Sequence, residues 1–97
     1  MNAVPFLPSA EEEFLQAVDR YEAEVPGLGA DLIAEVERAA DLIRRFPEHG
    51  SLYLAGTRRV ILRRFPFSVV YQIERNAPLI VAVAHHSRRP GYWIGRG

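Results

Sequence analysis

At 97 residues the chain has room for one small core, and its 48% hydrophobic and 25% charged residues are ordinary for a globular domain. It has no cysteine, which excludes disulfides, thiolate metal sites and a cysteine nucleophile and fits a reducing cytoplasm. A formal net charge of zero conceals a split: residues 1–50 carry eleven acids and four arginines, residues 51–97 eight arginines and one acid. Such a split points to a surface for an anionic partner, or to acidic helices lying on a basic sheet with the fields largely cancelling.

No apolar run approaches the ~20 residues that span a bilayer, so no membrane partner is expected. The start Met1-Asn2-Ala3 lacks the basic region of a secretory leader, and a cytoplasmic location is expected. All twelve basic residues are arginine, whose flat, forked donors suit carboxylate and phosphate.

In chain order, Val4 to Leu7 is a short strand candidate between Pro5 and Pro8. Ser9 with Glu12 reads as a capping box that starts a helix, with Glu11 to Glu13 at the positive end of its dipole. Phe14, Val18, Tyr21 and Val25 form its apolar stripe. Pro26-Gly27-Leu28-Gly29 turns the chain into a second helix, about Leu28 to Phe46, ended by Pro47. Leu32, Ile33, Val36, Ala39, Ala40 and Ile43 line its inner face, and Asp31, Glu35, Arg38 and Asp41 decorate the rest. The two form an antiparallel hairpin over about residues 9–46.

Residues 48–57 read as a loop. Three strands follow, Arg58 to Arg64, Phe67 to Glu74 and Leu79 to His86, then a basic tail. Period two puts Phe67, Val69, Tyr71, Ile73, Val60 and Leu62 against the helices. Arg59, Ile61, Arg63, Ser68, Val70, Gln72, Glu74, Ala82, Ala84 and His86 then face outward. The fold class is α+β, a single domain over residues 1–97 with a helical hairpin packed on a small, mostly antiparallel sheet. Its outer face is shallow, lined by alanine, serine and glutamine and rimmed by arginine. Such a face is either a docking surface or a plain solvated face.

His85 and His86 are adjacent, point to opposite faces and cannot jointly hold a metal; His49 is far off, so neither metal nor cofactor is expected. His85 is expected at the core edge, satisfied by a backbone carbonyl. Trp93 is expected to pack the tail onto the domain.

Three blocks, the acidic hairpin with Pro26-Gly27-Leu28-Gly29, Phe65-Pro66-Phe67-Ser68-Val69-Val70-Tyr71, and Val83-Ala84-His85-His86-Ser87-Arg88-Arg89-Pro90-Gly91-Tyr92-Trp93, carry a resemblance. Their order and spacing over about residues 9–93 resemble the RelE/ParE superfamily, the small toxins of bacterial type II toxin–antitoxin modules. The resemblance implies a cognate antitoxin and a possible higher-order toxin–antitoxin assembly. It implies one of two targets: DNA gyrase, as in ParE-like toxins, or messenger RNA in the ribosome, as in RelE-like endoribonucleases. An inactive, toxin-like binding module is the third reading. For a nuclease the candidates are Arg59, Arg63, Arg88 and Arg89 as cations, with His86 or Tyr92 as acid. For target or antitoxin binding they are Arg59, Arg63, Ser68, Gln72, His86, Arg88 and Arg89. The superfamily nucleases often carry an arginine where this chain has Ser68, a departure that favours gyrase over RNA.

Overall fold

The computed structural model describes residues 4–96. Met1 to Ala3, where no secretory leader is expected, lie outside the described residues, as does Gly97. Two helices, α1 (Pro8–Glu24) and α2 (Leu28–Arg45), precede four strands. These are β1 (Ser51–Leu52), β2 (Arg58–Ile61), β3 (Phe67–Glu74) and β4 (Ala77–His85), in one antiparallel sheet of order β1-β2-β3-β4.

The start of α1 departs from the expected capping box. The chain before it is pinned to β4: Leu7 N–H donates to Ile80 O at 2.8 Å and Ile80 N–H to Pro5 O at 2.9 Å. Phe6 thereby forms a parallel bridge with Ile80, where the short first strand was expected. Pro8, with φ preset and no N–H to satisfy, then occupies the first helical position. Ser9 falls inside the first turn, and no side chain caps the helix. The start of α2 is capped by Glu22 of the preceding helix. Its Oε2 accepts the Gly27 N–H at 2.9 Å and its Oε1 the Gly29 N–H at 3.0 Å. Gly27 takes φ +91° at this turn, a left-handed conformation that glycine adopts without a Cβ penalty.

The core lies between the hairpin and the inner face of the sheet. Leu32, Val36, Ala39 and Ile43 of α2 meet Phe67, Val69 and Tyr71 of β3 and Ile80 and Val83 of β4. Ala10 and Ala17 of α1 are buried there, with Phe14, Val18 and Tyr21 packed around them. Val25 is exposed, because α1 ends at Glu24 and the turn carries it past the sheet. Ile73, near the hairpin tip, is exposed as well. Glu35, expected on the solvent side, is only 8% exposed. Its Oε1 accepts the N–H groups of Arg63 and Arg64 at 3.0 and 3.3 Å, so the β2–β3 connection is capped from α2.

The expected loop at 48–57 holds the two-residue strand β1 and a 3-10 turn at Leu54–Gly56. Tyr71, fully buried, fastens that segment: its hydroxyl donates to Pro47 O at 2.6 Å and accepts the Gly50 N–H at 2.9 Å. A Cβ at Gly50 would sit 2.7 Å from that hydroxyl, so the contact requires glycine. Strand β2 ends at Ile61, three residues earlier than expected. The β3–β4 hairpin closes in two residues, Arg75 and Asn76, both at positive φ as a type I′ turn requires. β4 therefore starts at Ala77 and absorbs Pro78, a residue tolerated on an edge strand.

A bulge opposite Val70 and Tyr71 inserts Val81 between Ala82, which pairs with Val70, and Ile80, which pairs with Tyr71. It turns Val81 outward beside Ala82 and Val70. The outer face is thus not open throughout: these three residues and Trp93 form a second buried cluster, with the tail folded over them.

Candidate functional site

The site is the part of the outer face that the tail frames. Strand register sets its floor. Arg59 of β2 stands beside Val70 of β3 and Ala82 of β4, and in the next row Ile61 stands beside Ser68 and Ala84. The tail then turns repeatedly: Arg88 N–H reaches His85 O, Tyr92 N–H reaches Arg89 O, and Ile94 N–H reaches Gly91 O. These turns lay Trp93, 3% exposed, over Val70, Val81 and Ala82, with its ring centroid 5.9 Å from that of Tyr53. Trp93 therefore packs the tail onto the domain.

A cavity of about 160 Å³ remains between floor and tail. Arg59, Ser68, His86, Arg88, Arg89 and Tyr92 all line it, so six of the sequence candidates converge. Gln72 and Arg63 do not. Gln72 lies further along β3 and donates to Glu74, and Arg63 lies beyond the end of β2.

Two guanidiniums are held by aromatic faces: Arg59 lies 4.1 Å from the Tyr53 centroid and Arg88 3.9 Å from that of Tyr92. Stacking of this kind contributes about 0.5–1 kcal/mol at exposed sites and fixes direction. Among the described residues no carboxylate lines the cavity. Of the arginines after residue 50, Arg64 pairs with Asp31 at 3.1 Å and Arg96 with Glu13 at 2.8 Å. Arg59, Arg88 and Arg89 take part in no ion pair among the described residues. The acidic helices therefore do not neutralise this pole.

On the floor, Ser68 is 2% exposed and its Oγ lies 2.9 Å from His86 Nε2. His85 sits at the core edge, edge-on to Phe67 with centroids 4.9 Å apart. Its partner differs from the expected carbonyl: Nδ1 faces the Ser87 N–H at 3.0 Å and the Ser87 hydroxyl at 2.7 Å. The turn after β4 folds Ser87 back onto the ring and makes Nδ1 an acceptor for that N–H.

Tyr92 points its hydroxyl away from the cavity and donates to Glu13 Oε2 at 2.7 Å. Burial chiefly, then the hydrogen bond and the negative charge of Glu13, push this phenol well above its ordinary value. It is thus a proton held tightly, engaged in structure. Glu13 is the hub: its Oε1 also accepts the Val83 N–H at 3.1 Å, and both oxygens accept from Arg96, at 3.0 and 2.8 Å. Arg96 in turn reaches Val81 O at 3.1 Å. Sequence reasoning missed Glu13, because one glutamate among three at a helix start looks like dipole compensation. Tyr53 was missed too, and only its aromatic character near Arg58 and Arg59 hinted at it.

Among the described residues no group of three or more His, Asp or Glu side chains is placed to hold a metal ion. None of the described helices is long and apolar enough to cross a membrane.

The fold is thus a helical hairpin on a four-stranded antiparallel sheet, with a basic aromatic tail packed over the outer face. The sequence matches, over residues 4–90, the family described as ParE toxin of type II toxin-antitoxin system, parDE. The chain belongs to that family. A solved structure described as a chromosomal ParDE TA system from P. aeruginosa shares the fold, with a TM-score of 0.74 and 16% sequence identity, over 88% of this chain and 96% of that one. No curated protein sequence matches this chain.

Proposed function

We propose that this chain, as a ParE-family toxin, acts by docking its basic outer pole on DNA gyrase, and that a cognate antitoxin neutralises it. The observation that carries the reading is the trio Arg59, Arg88 and Arg89, which among the described residues enters no ion pair and surrounds a cavity that no carboxylate lines. Two of the three are preorganised on tyrosine rings, which lowers the cost of ordering them on a partner. An acidic patch on the target complements this pole and speeds encounter.

The endoribonuclease reading has one specific observation in its favour, the Ser68–His86 pair on the floor of an arginine-lined cavity. Against it, the resemblance puts Ser68 where the superfamily nucleases often carry an arginine. The hydroxyl of Tyr92, the other candidate acid, is committed to Glu13. A phosphorane intermediate needs both charge stabilisation and proton transfer. Two assays separate the readings. Purified gyrase is expected to lose supercoiling activity in the presence of the toxin, and primer extension on total RNA after induction is expected to show intact messages. Ribosome-dependent cuts with unaffected gyrase would reverse the assignment. Cytoplasmic action follows from either target.

A further inference from the structure

A second cavity, of about 170 Å³, lies where the end of β4 meets α1. Arg88 and Tyr92 wall it, as they wall the cavity at the basic pole. Its other walls include Arg20 of α1 and the pair His85 and Ser87. His85 Nδ1 accepts the Ser87 N–H at 3.0 Å, so it carries no proton, and the Ser87 hydroxyl 2.7 Å away donates to it as well. The hydroxyl proton is thereby turned toward a base, which leaves the lone pairs of Oγ for an electrophile. Ser87 is exposed, on the turn that follows β4. The other three serines are placed differently. Ser68 is buried, Ser9 is half-buried in the first turn of α1, and Ser51 is held in β1 opposite Arg59. Arg20 and Arg88 enter no ion pair among the described residues. Glu13 also walls this cavity, but both its oxygens accept from Arg96, so its charge is balanced within the fold.

We propose that Ser87 is a phosphoryl-acceptor site, and that its phosphate, held by Arg20 and Arg88, switches off the basic pole. The donor is a nucleoside triphosphate carried by a protein kinase. Ser87 Oγ forms a bond to the terminal phosphorus as the bond from that phosphorus to the bridging oxygen breaks, and the nucleoside diphosphate leaves with the electron pair. The hydroxyl proton passes to His85 Nδ1. The ester brings about two negative charges and three acceptor oxygens to a wall that already presents two guanidiniums. Arginine and phosphate pair through charge-assisted hydrogen bonds, so the product is kept where it forms. Arg88 is then drawn away from a partner at the pole, and the positive field of Arg59 and Arg89 is lowered. This last consequence rests on the docking reading; the acceptor site does not.

The test has two arms. In the first, the chain is recovered from its host and digested with trypsin. The peptide of residues 76–88, in which Ser87 is the only hydroxyl-bearing side chain, is expected partly with one added phosphoryl group on Ser87. Absence of that species in growing and in resting cells overturns the site. In the second, the chain is made with phosphoserine at position 87 and followed by phosphorus NMR. The second ionisation of the phosphate is expected below the value of about 6 for an unpaired phosphoserine, and is expected to return toward it in Arg20→Ala with Arg88→Ala. Arg75→Ala, at the exposed hairpin tip, is expected to leave it unchanged. A phosphate that titrates alike in all three chains overturns its capture by the two arginines. Phosphorylation is expected to weaken gyrase inhibition by about tenfold or more, and Ser87→Ala to inhibit as the parent does. Inhibition that phosphorylation leaves intact overturns the switch. An unmodified chain that does not inhibit gyrase overturns the docking reading instead, and the peptide mass and the phosphate titration then decide the acceptor site alone.

Discussion

The two faces of one sheet are covered in different ways. The inner face meets two regular helices across the larger apolar cluster, which includes Leu32, Val36 and Ile43 with Phe67, Val69 and Ile80. The outer face is closed by a tail without helix or strand, whose Trp93 covers three buried residues, Val70, Val81 and Ala82. What the tail lacks in apolar area it recovers through polar ties, chiefly the Glu13 carboxylate bound to Tyr92, Arg96 and the Val83 amide. The regular cover holds the fold. The irregular cover presents the arginines, and its cohesion depends on one charged hub. Substitutions on the two faces are therefore expected to separate folding from function.

The largest effect is expected on the inner face. Tyr71→Ala removes a fully buried ring together with the hydroxyl that fastens Pro47 and Gly50, at a cost of about 3–5 kcal/mol. That is a large fraction of the stability of a domain this size. Urea denaturation followed by circular dichroism is expected to show a variant that is largely unfolded without denaturant. Full retention of a cooperative transition would mean that the inner core is not the chief source of stability.

The outer face is expected to give the opposite result. Arg88→Ala with Arg89→Ala removes no ion pair seen among the described residues and only one aromatic stack, so stability falls by no more than about 1 kcal/mol. Growth inhibition on induction is nevertheless expected to disappear. A double variant that is folded and fully toxic would show that the target is read elsewhere.

Glu13→Gln tests the hub between the two. It keeps the shape of the side chain and removes its charge from Arg96, part-buried at 2.8 Å, for a loss of about 1–2 kcal/mol. The chain has a single tryptophan, Trp93, and it lies in the outer cover. Its fluorescence reports the tail, while circular dichroism reports the helices. The fluorescence midpoint is expected to fall to lower urea than the dichroism midpoint in Glu13→Gln, and to coincide with it in the parent. Coincident shifts would show that the two covers unfold as one.

Sequence made the regular half of this molecule readable and left the irregular half obscure. α2 was visible because Leu32, Val36, Ala39 and Ile43 recur at helical spacing, and β3 because it keeps period two. β1 is too short to show a period, and its existence depends on Tyr71 fixing the loop before it. Glu35 carries the same charge as its exposed neighbours, and only the backbone N–H groups of a distant turn explain its burial. At the site, Arg59 and Ser68 were placed on one face by alternation alone. Their meeting with His86, Arg88 and Arg89 rests on the path of the tail, which has no periodicity to read. Gln72 and Arg63 shared the predicted face and still fell outside the cavity. Alternation gives the side of a sheet but not the distance along it, nor where a strand stops.

The smallest effect concerns alkaline pH, where each face contributes one tyrosine with a raised phenol. Tyr71 and Tyr92 both have phenols raised above the ordinary value, in each case chiefly by burial. For Tyr71 the Gly50 N–H and the Arg58 charge offset part of the rise, whereas for Tyr92 the Glu13 carboxylate adds to it. The native state thus keeps protons that the unfolded chain gives up near pH 10. Their contribution is complete below that pH and is lost as pH rises above it toward the folded value. Each such proton gives a slope of at most about 1.4 kcal/mol per pH unit. Because Glu13 reinforces burial only on the outer face, Tyr92→Phe is expected to flatten the alkaline decline more than Tyr71→Phe does. The comparison is made from urea midpoints between pH 9 and 11, with Trp93 fluorescence as the signal. Equal flattening by the two variants, or more by Tyr71→Phe, would show that the Glu13–Tyr92 tie is not what distinguishes the two covers.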